Sequence, residues 1–340
     1  MALFEATAWE SPRVGETLPP LARRLLEHLG VWDAFRGQGR HNIHREIHGT
    51  AAAWGAPEPQ ERPYLFATQG NGWHLDRAAF DALLAAEAER RGVTVLRQTR
   101  LRRAERTGTT WRLHPAKAAA DAPRTARFLI DATGSAAAFA RRCGARFVAT
   151  DQLTAFARLF QEGESTDPGT LVEAFAGGWW YTAGLPGGLR IAACLTDADL
   201  ARPMELGDPA GWDRQLAATE SIRRRLQGAR PTTPVLVRAT PSRRLDPVTE
   251  GGEGGWLAVG DAASLFDPLS SQGILKGLRS GIFASYAVGD LLAKGDPAGL
   301  TRYARSVEGE FESYSRVRAR YYAEEQRWPE SAFWRRRVGA

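Results

Sequence analysis

Residues 256–281 restrict the fold of this chain more than any other stretch. An apolar strand, Leu257–Val259, ends in Gly260-Asp261, and after Asp267-Pro268 a helix begins at Ser270–Gly273. The free N–H groups of a helix N-terminus attract anions, and a neighbouring carboxylate accepts hydrogen bonds from hydroxyl groups. The pattern therefore predicts an α/β fold whose ligand carries both a phosphate and a sugar-like hydroxyl. An ordinary strand–turn–helix connection is the alternative interpretation.

The same residues resemble the second flavin-binding motif of the FAD-dependent monooxygenases and halogenases related to p-hydroxybenzoate hydroxylase. In that family the Gly-Asp carboxylate holds the ribityl chain of FAD, and the segment after the proline passes along the isoalloxazine ring. The resemblance implies that Asp261, beside Gly260, holds the ribityl chain. It assigns the ring side of the cofactor to four further residues: Pro268, Ser271, Gln272 and Gly273.

A second motif lies upstream, as the family order requires. Residues 128–134, FLIDATG, form an apolar strand that ends in Asp-Ala-Thr-Gly and precedes the helical run Ser135–Cys143. It resembles the family strand that approaches the ADP half of FAD. The resemblance therefore places Asp131 and Gly134 among the cofactor-binding residues, although any α/β protein can end a strand in glycine.

The first residues resemble the end of the second strand in a dinucleotide-binding unit. There an acidic residue, here Glu5, pairs with the adenosine ribose. Such a unit begins with roughly 30 residues that hold a first strand, a glycine-rich turn and a helix. No G-x-G-x-x-G occurs near Met1, and Gly15 is the first glycine. We expect either a start site assigned too far downstream or a truncated paralogue; a surface acid in a frayed tail is the other interpretation of Glu5.

Two arginines are further cofactor candidates. Arg13 opens the segment RVGETLPP, which resembles a Gly-Glu-Ser/Thr segment beside the flavin in the same family. Arg77 stands in the first turn of a helix over 78–91, for which Asp76 is the predicted N-cap. In relatives the residue that matches Arg77 reaches the FAD phosphates, whereas a plain surface arginine is the alternative.

Residues 151–244 consist mainly of short strand-like runs, and they predict an antiparallel sheet on the substrate side. Apolar or alternating runs separated by Gly, Pro and Asp turns occur at 155–160, 171–175, 179–183, 189–195 and 235–239. The run Trp179-Trp180-Tyr181-Thr182 corresponds to the Trp-x-Trp-x-Ile-Pro signature of flavin halogenases, with the second Trp displaced. Trp180 and Tyr181 are therefore candidates for the substrate wall, and sheet core is the alternative.

The halogenases depend on a lysine that directs hypohalous acid to the substrate. The matching stretch, residues 39–54, contains no lysine, and Lys117 is the first in the chain. Halogenation is therefore disfavoured.

The same stretch, residues 39–54, holds three histidines: His41, His44 and His48. Their spacing allows a metal site on a helix, but the surrounding residues favour loop and strand, so we predict no metal and place His44 in the polar wall of the substrate cleft.

Composition excludes several classes of protein. The 45 basic and 39 acidic residues give a modest excess, and the arginines form scattered clusters, so a nucleic-acid partner is not expected. Two cysteines do not suggest a disulfide scaffold or a zinc site. No apolar run is long enough to span a bilayer, and no signal peptide is present. We expect a cytoplasmic enzyme.

The C-terminus narrows the resemblance. Residues 297–325 predict one or two helices, followed by an aromatic and arginine-rich ending over 327–337. That ending resembles the tryptophan-halogenase-like flavoproteins that mature quinone-cofactor oxidases by oxygenating a tryptophan side chain of a partner polypeptide. An aromatic helix that merely docks on the FAD domain is the alternative.

These expectations combine into one architecture. We predict an α/β protein with a Rossmann-like FAD-binding domain that lacks its first strand and helix, an antiparallel substrate sheet and C-terminal helices. The predicted boundaries are 1–150 with 245–295 for the FAD domain (part of 40–70 facing the substrate), 151–244 for the substrate domain and 296–340 for the helical segment.

The resemblance implies a monooxygenase that oxygenates an aromatic, tryptophan-like substrate through a flavin C4a-hydroperoxide. The substrate is an aromatic small molecule or a tryptophan-bearing polypeptide, and the electron donor is NAD(P)H or a separate flavin reductase. The alternatives are a reductase of the geranylgeranyl-reductase type, which shares both flavin motifs, a halogenase, and a non-catalytic remnant.

Overall fold

The computed structural model describes residues 1–10, 15–116, 125–162 and 169–338. Its strands, in chain order, are β1 (Ala2–Phe4), β2 (Thr17–Leu18), β3 (His44–Ile47), β4 (Gly49–Ala53), β5 (Gln60–Pro63), β6 (Gly72–Leu75), β7 (Thr94–Leu96), β8 (Leu101–Thr107), β9 (Thr110–Pro115), β10 (Thr125–Ala126), β11 (Leu129–Asp131), β12 (Arg146–Ala149), β13 (Leu153–Gln161), β14 (Thr170–Phe175), β15 (Gly178–Leu185), β16 (Leu189–Asp197), β17 (Arg230–Pro231), β18 (Leu236–Ala239), β19 (Arg243–Asp246), β20 (Thr249–Glu250), β21 (Trp256–Ala258) and β22 (Ser264–Leu265). Its α-helices are α1 (Ala22–His28), α2 (Trp32–Arg40), α3 (Arg77–Arg90), α4 (Ala138–Arg142), α5 (Ala198–Ala201), α6 (Pro209–Ala217), α7 (Ser221–Arg225), α8 (Gly273–Lys294), α9 (Ala298–Glu324) and α10 (Ala332–Val338).

A large sheet in the order β17-β13-β16-β15-β14-β4-β5 dominates the second half of the chain, and β18 also pairs with β13. All five strands predicted between residues 155 and 239 are present. The sheet is antiparallel except where β14 pairs with β4 in parallel. Strands β4 and β5 come from residues 49–63, so the sheet is wider than the predicted segment 151–244.

Both faces of this sheet are covered, which explains why its strands are nearly continuously apolar. Because side chains alternate along a strand, Trp180 and Cys194 face the helices α6 and α7, whereas Trp179 and Leu195 face the opposite way. The second face packs against α10 and the end of α9, including Tyr322. The large sheet therefore lies between two helical layers.

The parallel strands characteristic of a dinucleotide-binding fold lie in two separate sheets. Strand β1 pairs with β7, and β11 pairs with β21, both in parallel register. A shared apolar core joins the second pair to α4, α8 and α9. The Rossmann-like part predicted from the two flavin motifs is thus present as two strand groups around one core.

The C-terminal half of the chain ends in one long helix, α9, and a short one, α10. The aromatic ending docks on the large sheet: the Trp334 indole N–H donates to the Phe175 carbonyl (2.9 Å), and Arg337 bonds to Asp197 (2.7 Å). The ending is thus a docked aromatic helix, as the alternative interpretation has it, but it packs mainly on the large sheet and not on the FAD domain. Among the described residues, no helix is both long and apolar enough to cross a bilayer.

Candidate functional site

The strand–turn–helix predicted from residues 256–281 forms as β21, a 3-10 turn at Gly260–Ala262, and α8. Gly260 has a φ of 58°, and its N–H donates to the Ser280 hydroxyl of α8 (2.8 Å). A Cβ on Gly260 would lie 3.6 Å from the Gly277 Cα. Glycine at this position thus supplies a left-handed turn that brings the following carboxylate against the helix.

The carboxylate of Asp261 is held by a lysine that the sequence pattern did not single out. Lys276 Nζ donates to Asp261 Oδ1 (2.9 Å) and to the Ser264 carbonyl, and it lies 4.6 Å from the centre of the Phe266 ring. Burial lowers the pKa of Lys276, and the neighbouring Asp261 charge opposes this shift. Whereas Lys276 is 1% exposed, the Asp261 side chain is 41% exposed. The pair therefore presents an oriented carboxylate to solvent.

The N-terminus of α8 lies shortly after this carboxylate in the chain. Asp267 caps the intervening 3-10 turn by accepting from the Leu269 N–H (3.0 Å), and Ser271 adopts a left-handed conformation with a φ of 50°. The N-cap Gln272 makes no side-chain capping bond, and a Cβ on Gly273 would meet open space. The first-turn N–H groups of α8 are thus accessible to an acceptor from a ligand.

The Gly-Glu-Thr segment joins this region to the large sheet. The Tyr181 hydroxyl donates to Glu16 Oε1 (2.5 Å) and lies 3.0 Å from the Thr17 hydroxyl, while Glu16 Oε2 accepts from the Gly15 N–H (2.7 Å). Burial and the Glu16 charge raise the pKa of Tyr181 well above its usual value. Tyr181 therefore stays a neutral phenol that fixes β2 against the sheet.

Comparisons with known proteins show which family this chain belongs to. Residues 41–338 match the sequence profile of the tryptophan halogenase family. The chain belongs to the tryptophan halogenase family. It is 28% identical over 340 residues to LodB of Marinomonas mediterranea, provisionally named an FAD-dependent oxidoreductase, across 98% of this chain and 89% of LodB.

Two solved structures show the same fold as this family member. The flavin-dependent halogenase CmlS is 24% identical, with a TM-score of 0.85 over 99% of this chain; the chain spans 62% of CmlS. The peptidyl tryptophan dihydroxylase QhpG is 23% identical, with a TM-score of 0.71 over 99% of this chain and 72% of QhpG. The predicted fold class and the predicted resemblance are confirmed.

This member of the tryptophan halogenase family is an FAD-dependent oxidoreductase, and FAD is its cofactor. The residues present fit that group. Asp261 offers an exposed carboxylate oxygen to a ribityl hydroxyl, and the uncapped end of α8 offers N–H donors to the polar edge of the ring. The assignments of Gly260, Pro268, Ser271, Gln272 and Gly273 stay predictions that this geometry supports.

The remaining cofactor candidates lie in three separate places. Arg77 donates to the Gly15 carbonyl (2.7 Å) and faces Asp81, so it supports the Gly-Glu-Thr segment directly. Glu5 follows β1 and accepts from the Thr7 N–H (2.8 Å). Gly134 has a φ of 67° beside open space. Arg13 lies outside the described residues. The cofactor roles of all four stay predictions.

Two predicted site residues are structural. Asp131 is buried, and its carboxylate accepts from the N–H groups of Thr133, Phe139 and Ala140. Its carboxylate therefore caps the start of α4, and the predicted cofactor role of Asp131 stays a prediction that this geometry does not support. Trp180 is fully buried and packs edge-on against Trp212 at 4.9 Å. The prediction that Trp180 lines the substrate wall is wrong, because strand alternation turns it away from Tyr181.

His44 is buried on β3 beside a cleft of about 510 Å³. Its ring stacks on Phe35 at 5.0 Å, and Nε2 lies 2.9 Å from Gln38 Oε1. Burial lowers the pKa of His44 to about 4, against the opposing effect of the Asp76 carboxylate. His44 is thus neutral near pH 7. Since it lies on a strand, the helical spacing that suggested a metal site does not bring the three histidines onto one face.

Proposed function

We propose that this chain is an FAD-dependent monooxygenase that oxygenates an electron-rich aromatic ring of tryptophan type. The observation that carries the proposal is the Asp261 carboxylate, held by Lys276 near the uncapped N-terminus of α8. Reduced FAD supplies the electrons and activates O₂. The balance is one O₂, two electrons and two protons per ring C–H, giving one ring C–OH and one water.

The chain's own residues would bind the cofactor, orient it and limit access of water. Asp261 would accept from a ribityl hydroxyl, and the first turn of α8 would donate to the ring edge where negative charge develops on reduction. Tyr181 and Glu16 would hold the substrate-side wall in place through their 2.5 Å bond. The cofactor carries the redox chemistry, whereas the protein supplies orientation and electrostatics.

Oxygenation is preferred over the two other flavin reactions. Halogenation lacks support because residues 39–54, which span the last two residues of α2, β3 and β4, contain no lysine. An isoprenoid reductase needs an apolar tunnel, whereas the cleft of about 330 Å³ beside Gln272 has a mixed lining, in which polar residues such as Arg279 and Glu310 outnumber the apolar Phe283 and Val317. The tryptophan-type substrate is supported by the family and by the similarity to QhpG, a peptidyl tryptophan dihydroxylase.

The experiment uses the full chain, titrated with FAD and then supplied with NADH, a flavin reductase and air. Free tryptophan and a tryptophan-containing peptide serve as substrates, with chloride and bromide present. We expect a product that has gained oxygen atoms from labelled O₂, detected by mass spectrometry. Asp261→Asn should weaken FAD binding by about tenfold, as loss of one charge-assisted hydrogen bond predicts.

Three results would overturn the proposal. A halogenated product would show a halogenase, and reduction of an alkene without oxygen incorporation would show a reductase. A protein that stays colourless after incubation with FAD would not be a flavoenzyme. NADH supplied without the reductase tests whether the chain accepts electrons directly from a nicotinamide.

A further inference from the structure

A cleft on the outer side of the β2-β6-β3 sheet has a composition unlike the flavin region. We call it the arginine cleft, defined by Arg23, Trp32, Arg36, Arg40, Arg45 and Trp73. Its volume of about 510 Å³ is in the range of ligand sites. Such sites are usually apolar with few polar groups, whereas four of the residues that line this one are arginines.

An aromatic cluster forms a rigid floor for the arginine cleft. Phe35 packs against Trp32 at 5.6 Å and edge-on against Trp73 at 5.3 Å. Gly39 permits α2 to lie on the second indole, because a Cβ there would be 2.7 Å from the Trp73 ring. The two indoles are therefore held in fixed positions while remaining partly accessible.

The positive charge of the arginine cleft is largely uncompensated. Arg23 bonds to Glu27 (2.7 Å) and stacks over Trp32 at 5.3 Å. By contrast, Arg36, Arg40 and Arg45 make no side-chain hydrogen bond or ion pair with any residue in the described ranges. The lining contains one carboxylate, Glu46, which accepts from Asn71 (2.9 Å).

We propose that the arginine cleft docks an acidic segment of a polypeptide that carries the aromatic side chain to be oxygenated. Guanidinium groups bind carboxylates in a bidentate geometry, and tryptophan and arginine are, with tyrosine, the residue types enriched at the energetic centres of protein interfaces. Arg36 and Arg40 are exposed, which suits a partner surface better than an enclosed small molecule. This inference rests on the proposed function, because it names the substrate class.

The arginine cleft and the large sheet lie on opposite faces of strand β6. On β6, Trp73 faces the cleft, and the next residue, His74, faces the large sheet. There His74 Nδ1 lies 2.7 Å from the Gly184 carbonyl, and Nε2 lies 2.9 Å from the Thr170 hydroxyl. The same small sheet carries Thr17, which contacts Tyr181. A polypeptide seated in the cleft would thus lie beside the elements that form the substrate wall.

The test measures binding to the FAD-loaded full chain by fluorescence anisotropy, without turnover. The probes are three labelled peptides of about ten residues with one tryptophan, which differ only in carrying glutamate, glutamine or lysine at the flanking positions. We expect the glutamate peptide to bind and to weaken with rising salt. The triple variant Arg36→Gln/Arg40→Gln/Arg45→Gln should weaken it by about tenfold or more, as the loss of charged contacts predicts.

A matched control makes the same charge change elsewhere. Arg202, Arg238 and Arg316 are exposed and, within the described part of the chain, make no side-chain ion pair; their triple glutamine variant should bind the glutamate peptide like the wild type. Equal loss in both triple variants, or equal binding of all three peptides, would overturn the proposal. Arginine-dependent binding of a short single-stranded DNA or of NADPH, with none of the peptide, would assign the cleft to a different ligand and also overturn it.

Turnover distinguishes this inference from the proposed function. If the glutamate peptide binds through the three arginines but gains no oxygen, the docking site stands and the proposed function fails. If free tryptophan is oxygenated but no acidic peptide binds, the proposed function stands and the docking site fails. Should both hold, the cleft variant raises KM for the peptide and leaves kcat for free tryptophan unchanged.

Discussion

At the scale of single residues, burial decides which polar side chains face a ligand. Asp131 at the end of β11 and Asp261 after β21 both match a family motif, yet one carboxylate is enclosed by backbone donors and the other is half-exposed. Sequence spacing cannot separate these cases, because both strands end in the same small-residue turn. The number of nearby N–H donors, which depends on where α4 begins, makes the difference.

His44 provides the pH prediction at this scale. Its folded pKa of about 4 lies below the ordinary histidine value of 6.5, so the unfolded chain binds the proton more readily. The stability that neutral His44 contributes is therefore complete above pH 6.5 and is lost as the pH falls towards 4. We expect up to ~3 kcal/mol of loss across this window at the usual conversion for one group.

The measurement is urea unfolding of the wild type and of His44→Gln at a series of pH values between 7.5 and 4. The difference in unfolding free energy between the two proteins should shrink as the pH falls, since glutamine does not titrate. The exposed His48 supplies the control: His48→Gln should keep a constant difference from the wild type. A constant difference for His44→Gln would show that its pKa is not depressed.

At the scale of elements, the strand–turn–helix from β21 to α8 was largely predictable. Its strand, turn and helix start were predicted within about two residues, because glycine, aspartate and proline mark those boundaries through backbone chemistry. Lys276 was not predicted, since a lysine inside a helix is usually exposed. A signal existed: it follows Ile274 and Leu275 in an apolar stretch with no acidic neighbour within the helix turn.

Lys276→Met tests the role of this lysine in orienting Asp261. Methionine fills a similar space without the buried charge, so the apoprotein should unfold at the same or a higher urea concentration. The FAD dissociation constant should rise by about tenfold, because the carboxylate loses a charge-assisted bond that fixes its position. Flavin fluorescence titration measures this directly.

Lys294→Met is the control for that substitution. Lys294 stands at the exposed end of the same helix and pairs with Asp290 (2.8 Å). Its replacement should leave FAD affinity unchanged. An unaltered dissociation constant in Lys276→Met, or an equal rise in both variants, would contradict a specific role for Lys276.

At the scale of the whole molecule, the C-terminal helices join the flavin motif to the large sheet. The buried Tyr322 hydroxyl donates to Asp267 Oδ2 (2.7 Å) and accepts from the Trp179 indole N–H (3.0 Å). Arg318 bridges Asp267 and Asp151. The last turns of α9 therefore have a structural role, because they connect the Asp267 segment, Asp151 and the large sheet.

Tyr322→Phe should lower the free energy of unfolding by about 1–3 kcal/mol, because it leaves a buried indole N–H and a carboxylate oxygen without that partner. Urea unfolding followed by tryptophan fluorescence measures the change. Tyr321→Phe is the matched neighbour, since the Tyr321 side chain is 40% exposed, and it should change stability by less than about 0.5 kcal/mol. Similar effects of the two substitutions would show that the hydroxyl network adds little.

The sequence by itself determined the two flavin motifs, the strands of the large sheet, the capped helix α3 and the FAD-dependent class of the protein. These follow from local chemistry: positive-φ glycines, proline at turns, alternating apolar runs and residue spacing. Only the tertiary structure decided that Trp180 is core while Tyr181 faces Glu16, that Lys276 holds Asp261, and that α10 covers the sheet. It also brought four arginines from α1, α2 and β3 around one cleft. Such outcomes depend on which faces of distant elements meet, and residues close in space but far apart in sequence leave no local pattern.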